Sequence, residues 1–147
     1  MTTRDSMTTR DGVEVVPVEV LPIVADEDVV RVRQLVRSVA VAAKFSLVDQ
    51  TKLVTATSEL ARNTLIHGGG GRAEVSTVHN GRRVGIRVHF ADDGQGIADL
   101  DLAMTDGYTS GSGLGLGLSG SRRLVDEFEV DTAAGAGTRI TLTKWAR

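Results

Sequence analysis

The spacing of apolar and polar positions changes period along the chain, and those changes mark out the elements. Val13–Val20 (VEVVPVEV) is β-branched and predicts a strand, with Pro17 pointing to a sheet edge. From Asp26 to Phe45 the positions Val29, Val32, Val36, Val39 and Ala43 recur at helical spacing, and Arg31, Arg33 and Arg37 lie off that face. Ser46 supplies an N-cap for a second helix over Leu47–Ile66, with Leu53, Ala56, Leu60 and Thr64 as its core stripe and the run Gly68–Gly71 as its stop. Ala73–His79 and Arg82–Ala91 read as strands joined at Asn80-Gly81, a two-residue hairpin signal because both residues tolerate positive φ. A turn follows at 92–97, then a short helix over Asp99–Met104, a polar loop over 105–113 and a third helix over Leu114–Glu127. Two last strands, Glu129–Thr132 and Thr138–Lys144, are joined by the AGAG of 134–137. The order lacks alternating βαβ units. It predicts an α/β two-layer sandwich, a mixed, mainly antiparallel sheet with helices on one face.

Composition narrows the class. A chain of 147 residues suits one domain, here 13–147, preceded by a flexible polar tail (1–12) in which Met-Thr-Thr-Arg-Asp occurs twice. The tail lacks the apolar run of a signal peptide, and no stretch approaches the ~18 apolar residues of a membrane span, so a soluble, cytoplasmic protein is expected. The absence of cysteine removes thiolate-ligated metals and cysteine nucleophiles. A net charge of −2 and 3% aromatic residues argue against nucleic-acid partners. The glycines are uneven, with one of the 17 in residues 1–67 and sixteen in 68–147. Glycine weakens regular structure, so this concentration needs a local reason.

Three groups of residues offer one. Glu59 and Asn63 share a face of the second helix and could accept a proton and hold Mg²⁺, although a solvated Glu and a C-terminal Asn are the commoner explanation of such a pair taken alone. Asp92, at a strand end, is followed by Gly94 and Gly96. A carboxylate there can accept a hydrogen bond from an amine while the backbone approaches a flat ring, and an ordinary acidic turn is the rival explanation. In Gly113-Leu114-Gly115-Leu116-Gly117-Leu118 the glycines make a poor helix interior and a good helix start. Free N–H groups and the positive dipole end would bind phosphates there, while the leucines anchor the loop. The GxGxxG match at Gly115–Gly120 follows a polar loop rather than a strand, and no GxxxxGK[ST] occurs, so neither dinucleotide nor P-loop architecture is expected. His67, His79 and His89 lack metal-ligand spacing and read as surface or packing residues.

In combination, Glu59-x-x-x-Asn63, Asp92-x-Gly94-x-Gly96, Gly113-x-Gly115-x-Gly117 and Gly137-Thr138 resemble the N, G1, G2 and terminal Thr motifs of the GHKL ATPase and kinase superfamily. The resemblance covers nearly the whole chain and implies the Bergerat fold, with ATP held between the helical layer and a lid. Only one helix precedes the N-motif helix, so a complete histidine kinase is not expected. The segments Glu59–Asn63, Asp106–Ser110, Gly113–Leu118, Arg123–Phe128 and Lys144–Arg147 are similar to the RsbT type of switch-protein serine/threonine kinases within the anti-sigma regulatory factor family. That likeness implies phosphorylation of STAS-domain proteins in a stressosome-type module and activation of a PP2C-type phosphatase by binding. By the same likeness, Asp92 would accept the adenine amine with support from Thr138, and Gly94 and Gly96 would let the backbone meet the base. Asn63 would ligate Mg²⁺, Gly113–Leu118 would bind phosphates, and Glu59 would be the general base. An anti-sigma factor that binds a sigma factor and phosphorylates its STAS antagonist is the first alternative, disfavoured by the Lys144-Trp145 ending and the short lid. A non-catalytic, nucleotide-gated binding module is the second.

Overall fold

The structure is a computed structural model that describes residues 7–8, 12–105 and 117–147. Its strands are β1 (Met7–Thr8), β2 (Glu14–Ile23), β3 (Gly71–His79), β4 (Val84–Asp92), β5 (Glu127–Thr132) and β6 (Thr138–Trp145). Its helices are α1 (Asp26–Ala42), α2 (Leu47–Ile66), α3 (Leu100–Ala103) and α4 (Leu118–Leu124). The strands form one sheet in the order β1-β2-β3-β4-β6-β5. The expected α/β two-layer sandwich is present, with one difference. Among the described residues every pairing is antiparallel, so the sheet is not mixed. The connections explain this. Two helices lie between β2 and β3, so the chain travels out and back and β3 starts where β2 stops. β4 and β5 do run in the same direction, but β6 inserts between them and pairs with both.

The helices cover one face of the sheet. Val29, Val32, Val36 and Ala40 of α1 and Leu53, Ala56 and Leu60 of α2 pack against Val75, Ile86, Val88, Phe90, Ile140 and Leu142. Leu53, Leu60, Val32, Val36, Ile86, Val88 and Leu142 are fully buried, which by general magnitudes is worth roughly 1.5–3 kcal/mol for each large side chain before entropy is set against it. The stripe read for α2 is buried in full, Thr64 included, and Ser46 caps the helix by accepting the Asp49 N–H at 3.1 Å. At the start of α1 no side chain stands at the cap itself. Asp28 reaches back instead and accepts from the N–H groups of Val24 and Ala25.

Several boundaries move. α1 stops at Ala42, three residues before Phe45, with Lys44 at φ +63°. β2 runs on to Ile23, and it carries a bulge between Pro17 and Glu19 while β1 covers only Glu14 and Val15. Among the described residues the rest of that edge is unpaired, and two prolines and a bulge along it discourage pairing with a further strand. The β3–β4 turn has Gly81 and Arg82 at its corner rather than Asn80-Gly81. The Asn80 N–H donates to the Arg83 carbonyl, and the Asn80 carboxamide oxygen accepts from both Arg82 and Arg83. Asn80 therefore acts through its side chain rather than by taking positive φ. α4 begins at Leu118 and ends at Leu124, so Glu127 opens β5 instead of closing a helix.

The C-terminal segment has a packing role that its sequence did not suggest. Lys144 is almost fully buried and its Nζ lies 3.6 Å from Asp49 on α2. The Trp145 indole N–H donates to Glu127 at 2.8 Å, its backbone N–H donates to Asp126 at 2.7 Å, and Arg147 pairs with Asp126 at 2.8 Å. The indole also packs with Val13 and Val78 on the helix-free face. The Lys144–Arg147 ending is thus a clasp joining β6 to α2 and β5.

Candidate nucleotide site

A pocket opens where the last turns of α2 meet the end of β4 and the start of β6. It is lined by Asn63, Thr64, His67 and Gly68 from α2 and its cap, Phe90 and Asp92 from β4, Gly96 and Ile97 from the following turn, Leu118 from α4, and Thr138 and Ile140 from β6. It holds about 420 Å³ of atom-free space, part of it open to solvent. The wall is mostly apolar with a few polar groups at one end, the composition of a small-molecule site.

Sheet register builds the polar end. Gly71 pairs with Asp92 and Asp92 with Thr138, so three adjacent strands place these residues in one row. Asp92 is buried, and its Oδ1 accepts the Gly94 N–H at 2.9 Å, which shapes the turn. Its backbone carbonyl accepts from Arg139 Nη1, which also donates to the Thr138 carbonyl, while Nη2 reaches the Asp93 carboxylate at 3.1 Å. Thr138 is equally buried and its hydroxyl meets that of Thr132 at 3.0 Å.

The glycine run after α2 now has a purpose. The carbonyls of Asn63 and Thr64 accept from the N–H groups of Gly68 and Gly70, folding the helix end back on itself. A Cβ on Gly68 would collide with the Asp92 carboxylate, and Gly94 in turn rests on the Gly68 backbone, 2.7 Å being all that a Cβ on Gly94 would have to the Gly68 carbonyl. The pocket end is therefore built from backbone laid against backbone, with no side chains between Asp92 and the close of α2.

Glu59 and Asn63 stand on the pocket side of α2, one turn apart. Asn63 is buried and lines the cavity. Glu59 does not line it; it is partly exposed, and its Oε1 lies 3.8 Å from Arg62 Nη1, an exposed pair worth little to stability. The Glu59 side chain packs on Gly117, which caps α4 in the left-handed region at φ +65°. A Cβ there would occupy the space of Glu59 Cγ. Leu118, next along, is almost fully buried and lines the pocket, as an anchoring leucine should. Gly113, Leu114, Gly115 and Leu116 lie outside the described residues.

The structure thus brings Asn63, Asp92, Gly96, Leu118 and Thr138 to one cavity, with Gly94 behind Asp92 and Glu59 and Gly117 beside it. Thr64, His67, Gly68, Phe90, Ile97 and Ile140 were not anticipated there. His67 had a usable signal, since it continues the four-residue spacing of Glu59 and Asn63 on α2. His89, by contrast, sits on the helix-free face, where its Nδ1 meets the Thr141 hydroxyl at 2.8 Å and burial holds its pKa below the ordinary value. Among the described residues there is no cluster of three or more His, Cys, Asp or Glu able to hold a metal. Nor is any helix among them long and apolar enough to cross a membrane.

Residues 48–146 match the family model described as histidine kinase-, DNA gyrase B- and HSP90-like ATPase. The chain belongs to this ATPase family. Within it the chain is 42% identical over 125 residues to the serine/threonine-protein kinase RsbT of Bacillus subtilis (strain 168), covering 85% of this chain and 94% of the relative. It is 37% identical over 116 residues to the anti-sigma F factor of Clostridium novyi (strain NT), covering 72% of this chain and 81% of that one. A crystal structure of the RsbU and RsbW domains of a Mycobacterium tuberculosis protein matches with a TM-score of 0.59 at 20% identity. That match covers 99% of this chain and 33% of the larger one, so the chain spans a third of that molecule, and the likeness is one of fold. Membership of the ATPase family supports ATP as the nucleotide of this chain.

Proposed function

We propose that the chain is an ATP-dependent protein serine/threonine kinase of a partner-switching module, acting in the cytoplasm on the hydroxyl of a STAS-domain protein. The observation that carries the reading is Glu59. A carboxylate packed on the start of α4, one turn from the buried Asn63, is more than nucleotide binding requires, and it stands where a protein hydroxyl could approach. The similarity to RsbT supports the same reaction.

The residues divide the work. Asp92 accepts the adenine amine and Thr138 supports it, while Gly94 and Gly96 let the backbone lie against the base. Leu118 seats the start of α4, and Gly113–Gly117 are assigned to the phosphates through their N–H groups. Glu59 takes the proton from the substrate hydroxyl as its oxygen bonds to the γ-phosphorus and ADP departs. One buried carboxamide, with a carboxylate one turn away, is too sparse a set for a protein-built metal cage but suits Mg²⁺, which keeps waters and binds chiefly through phosphates. Asn63 would hold that ion, which when bound neutralises phosphate charge.

The anti-sigma reading keeps its own support in the similarity to anti-sigma F factors, 37% identical in one of them. Purified chain incubated with γ-labelled ATP and a STAS-domain protein decides between them. Label moving to a serine or threonine of the STAS protein, without capture of a sigma factor, supports the kinase. Capture of a sigma factor supports the anti-sigma factor. Binding of a PP2C-type phosphatase with no transfer to any STAS protein supports a nucleotide-gated binding module.

A further inference from the structure

Thr132, on β5, does not line the nucleotide cavity, yet its hydroxyl decides what that cavity offers a ligand. A threonine hydroxyl has one proton to give and two lone pairs with which to accept. Thr132 Oγ1 lies 2.9 Å from the Gly137 carbonyl, which can only accept, so the proton goes there. The Ile97 N–H donates to the same oxygen at 2.9 Å and takes one lone pair. The remaining neighbour is the Thr138 hydroxyl at 3.0 Å. With the Thr132 proton already spent, Thr138 must be the donor of that bond. Its own proton then points towards β5, and only lone pairs face the cavity.

We propose that Thr132 is a positioning residue for base selection, acting through Thr138. It leaves the polar end of the pocket, Asp92 with Thr138, made of acceptors alone. Such an end takes a purine that presents an amine at this edge and rejects one that presents a carbonyl, which would meet acceptors with no donor to answer it. The inference deepens the nucleotide reading of the pocket and rests on it. It adds a residue outside the cavity and a direction for one proton.

The test compares affinities of the full chain for ATP and for inosine triphosphate, which differ at this edge by amine against carbonyl. Thr132→Val keeps the shape and the β-branched preference of an edge strand while removing the hydroxyl. Thr132→Ser keeps the hydroxyl, and Thr132→Ala removes it with less side chain. The Val and Ala variants should lose about fivefold of the preference for ATP over inosine triphosphate, mostly by gaining affinity for the latter, while Ser retains the wild-type ratio. A Val or Ala variant that weakens both nucleotides equally, or changes neither, overturns the inference and leaves Thr132 as a turn support. A wild-type chain that binds neither nucleotide overturns the nucleotide reading itself, a different result from an unchanged ratio.

Discussion

At one end of β6, Thr138 faces a cavity beside Asp92; at the other, Lys144 and Trp145 face Asp49, Asp126 and Glu127. Both ends bury polar groups, which is costly unless each finds a partner. At the Lys144 end the partners are other side chains of the same protein, drawn from α2 and β5. At the Thr138 end the protein aligns its groups and leaves a space in front of them. Buried polar groups that answer each other hold the fold together, and buried polar groups that converge on a space mark what the fold is for.

Substitution should separate the two ends. Asp92→Ala carries the largest expected effect on binding. It removes the carboxylate from the pocket end, and ATP affinity measured by calorimetry should fall about a hundredfold or more. The fold should lose only the Asp92–Gly94 turn bond, about 1 kcal/mol by urea unfolding. ATP affinity persisting at the wild-type level would remove Asp92 from the adenine site. Lys144→Ala should do the reverse. It leaves Asp49 buried with only the more distant Arg147, at 3.9 Å, and opens a gap, so stability should fall by about 3 kcal/mol while ATP affinity of the folded protein stays within about twofold. Replacing both partners, Lys144→Met with Asp49→Leu, should recover most of that loss, because matched apolar groups need no mutual charge.

Much of the scaffold was legible because local periodicity dictates it. α2 was read to its observed ends, with Ser46 as its cap, since one long stripe, one cap and one glycine stop all agree. The motif residues were legible as pieces, because Asp-x-Gly-x-Gly at a strand end and glycines at a helix start have unusual chemistry wherever they occur. What escaped were the pairings between distant segments. Gly68 looked like a helix stop and nothing more until Asp92 was laid against it, and Lys144 met Asp49 only through a fold that brings β6 to the start of α2. The sheet was read as mainly antiparallel; that every described pairing is antiparallel escaped for the same reason, since strand direction depends on where β6 inserts. Thr132 had no signal, because its hydroxyl matters only through two turns and a neighbouring strand.

A smaller effect tests the boundary between the two kinds of site at Gly117, which belongs to both. Gly117→Ala would place a methyl group where Glu59 Cγ now lies and force an alanine to hold φ +65°, costing about 1 kcal/mol for the backbone alone. The carboxylate must shift. If Glu59 is the base, phosphoryl transfer should fall about tenfold, with a lesser change in ATP affinity. Transfer unchanged in a folded Gly117→Ala variant would show that the position of Glu59 does not matter to the reaction.

The smallest effect concerns another buried carboxylate, Asp28, which does not line the nucleotide cavity. It accepts from Val24 N–H at 2.9 Å, Ala25 N–H at 3.1 Å and Arg31 Nη1 at 2.8 Å. The Val24 N–H does most to hold its pKa below the ordinary 3.8; burial opposes this, and Ala25 and Arg31 add to the lowering. Arg31 is largely exposed, so the backbone bonds matter more than the ion pair. A lowered folded pKa means that the unfolded chain takes up the proton first as pH falls. The contribution of Asp28 is complete above pH 3.8 and is lost as pH drops through the lower, folded value. Asp28→Asn should therefore be less stable than wild type at neutral pH, and the gap should close below pH 3.8 as the wild type loses the same interaction. A gap that stays constant to low pH would mean that the charge on Asp28 contributes nothing, and that its contacts act by shape alone.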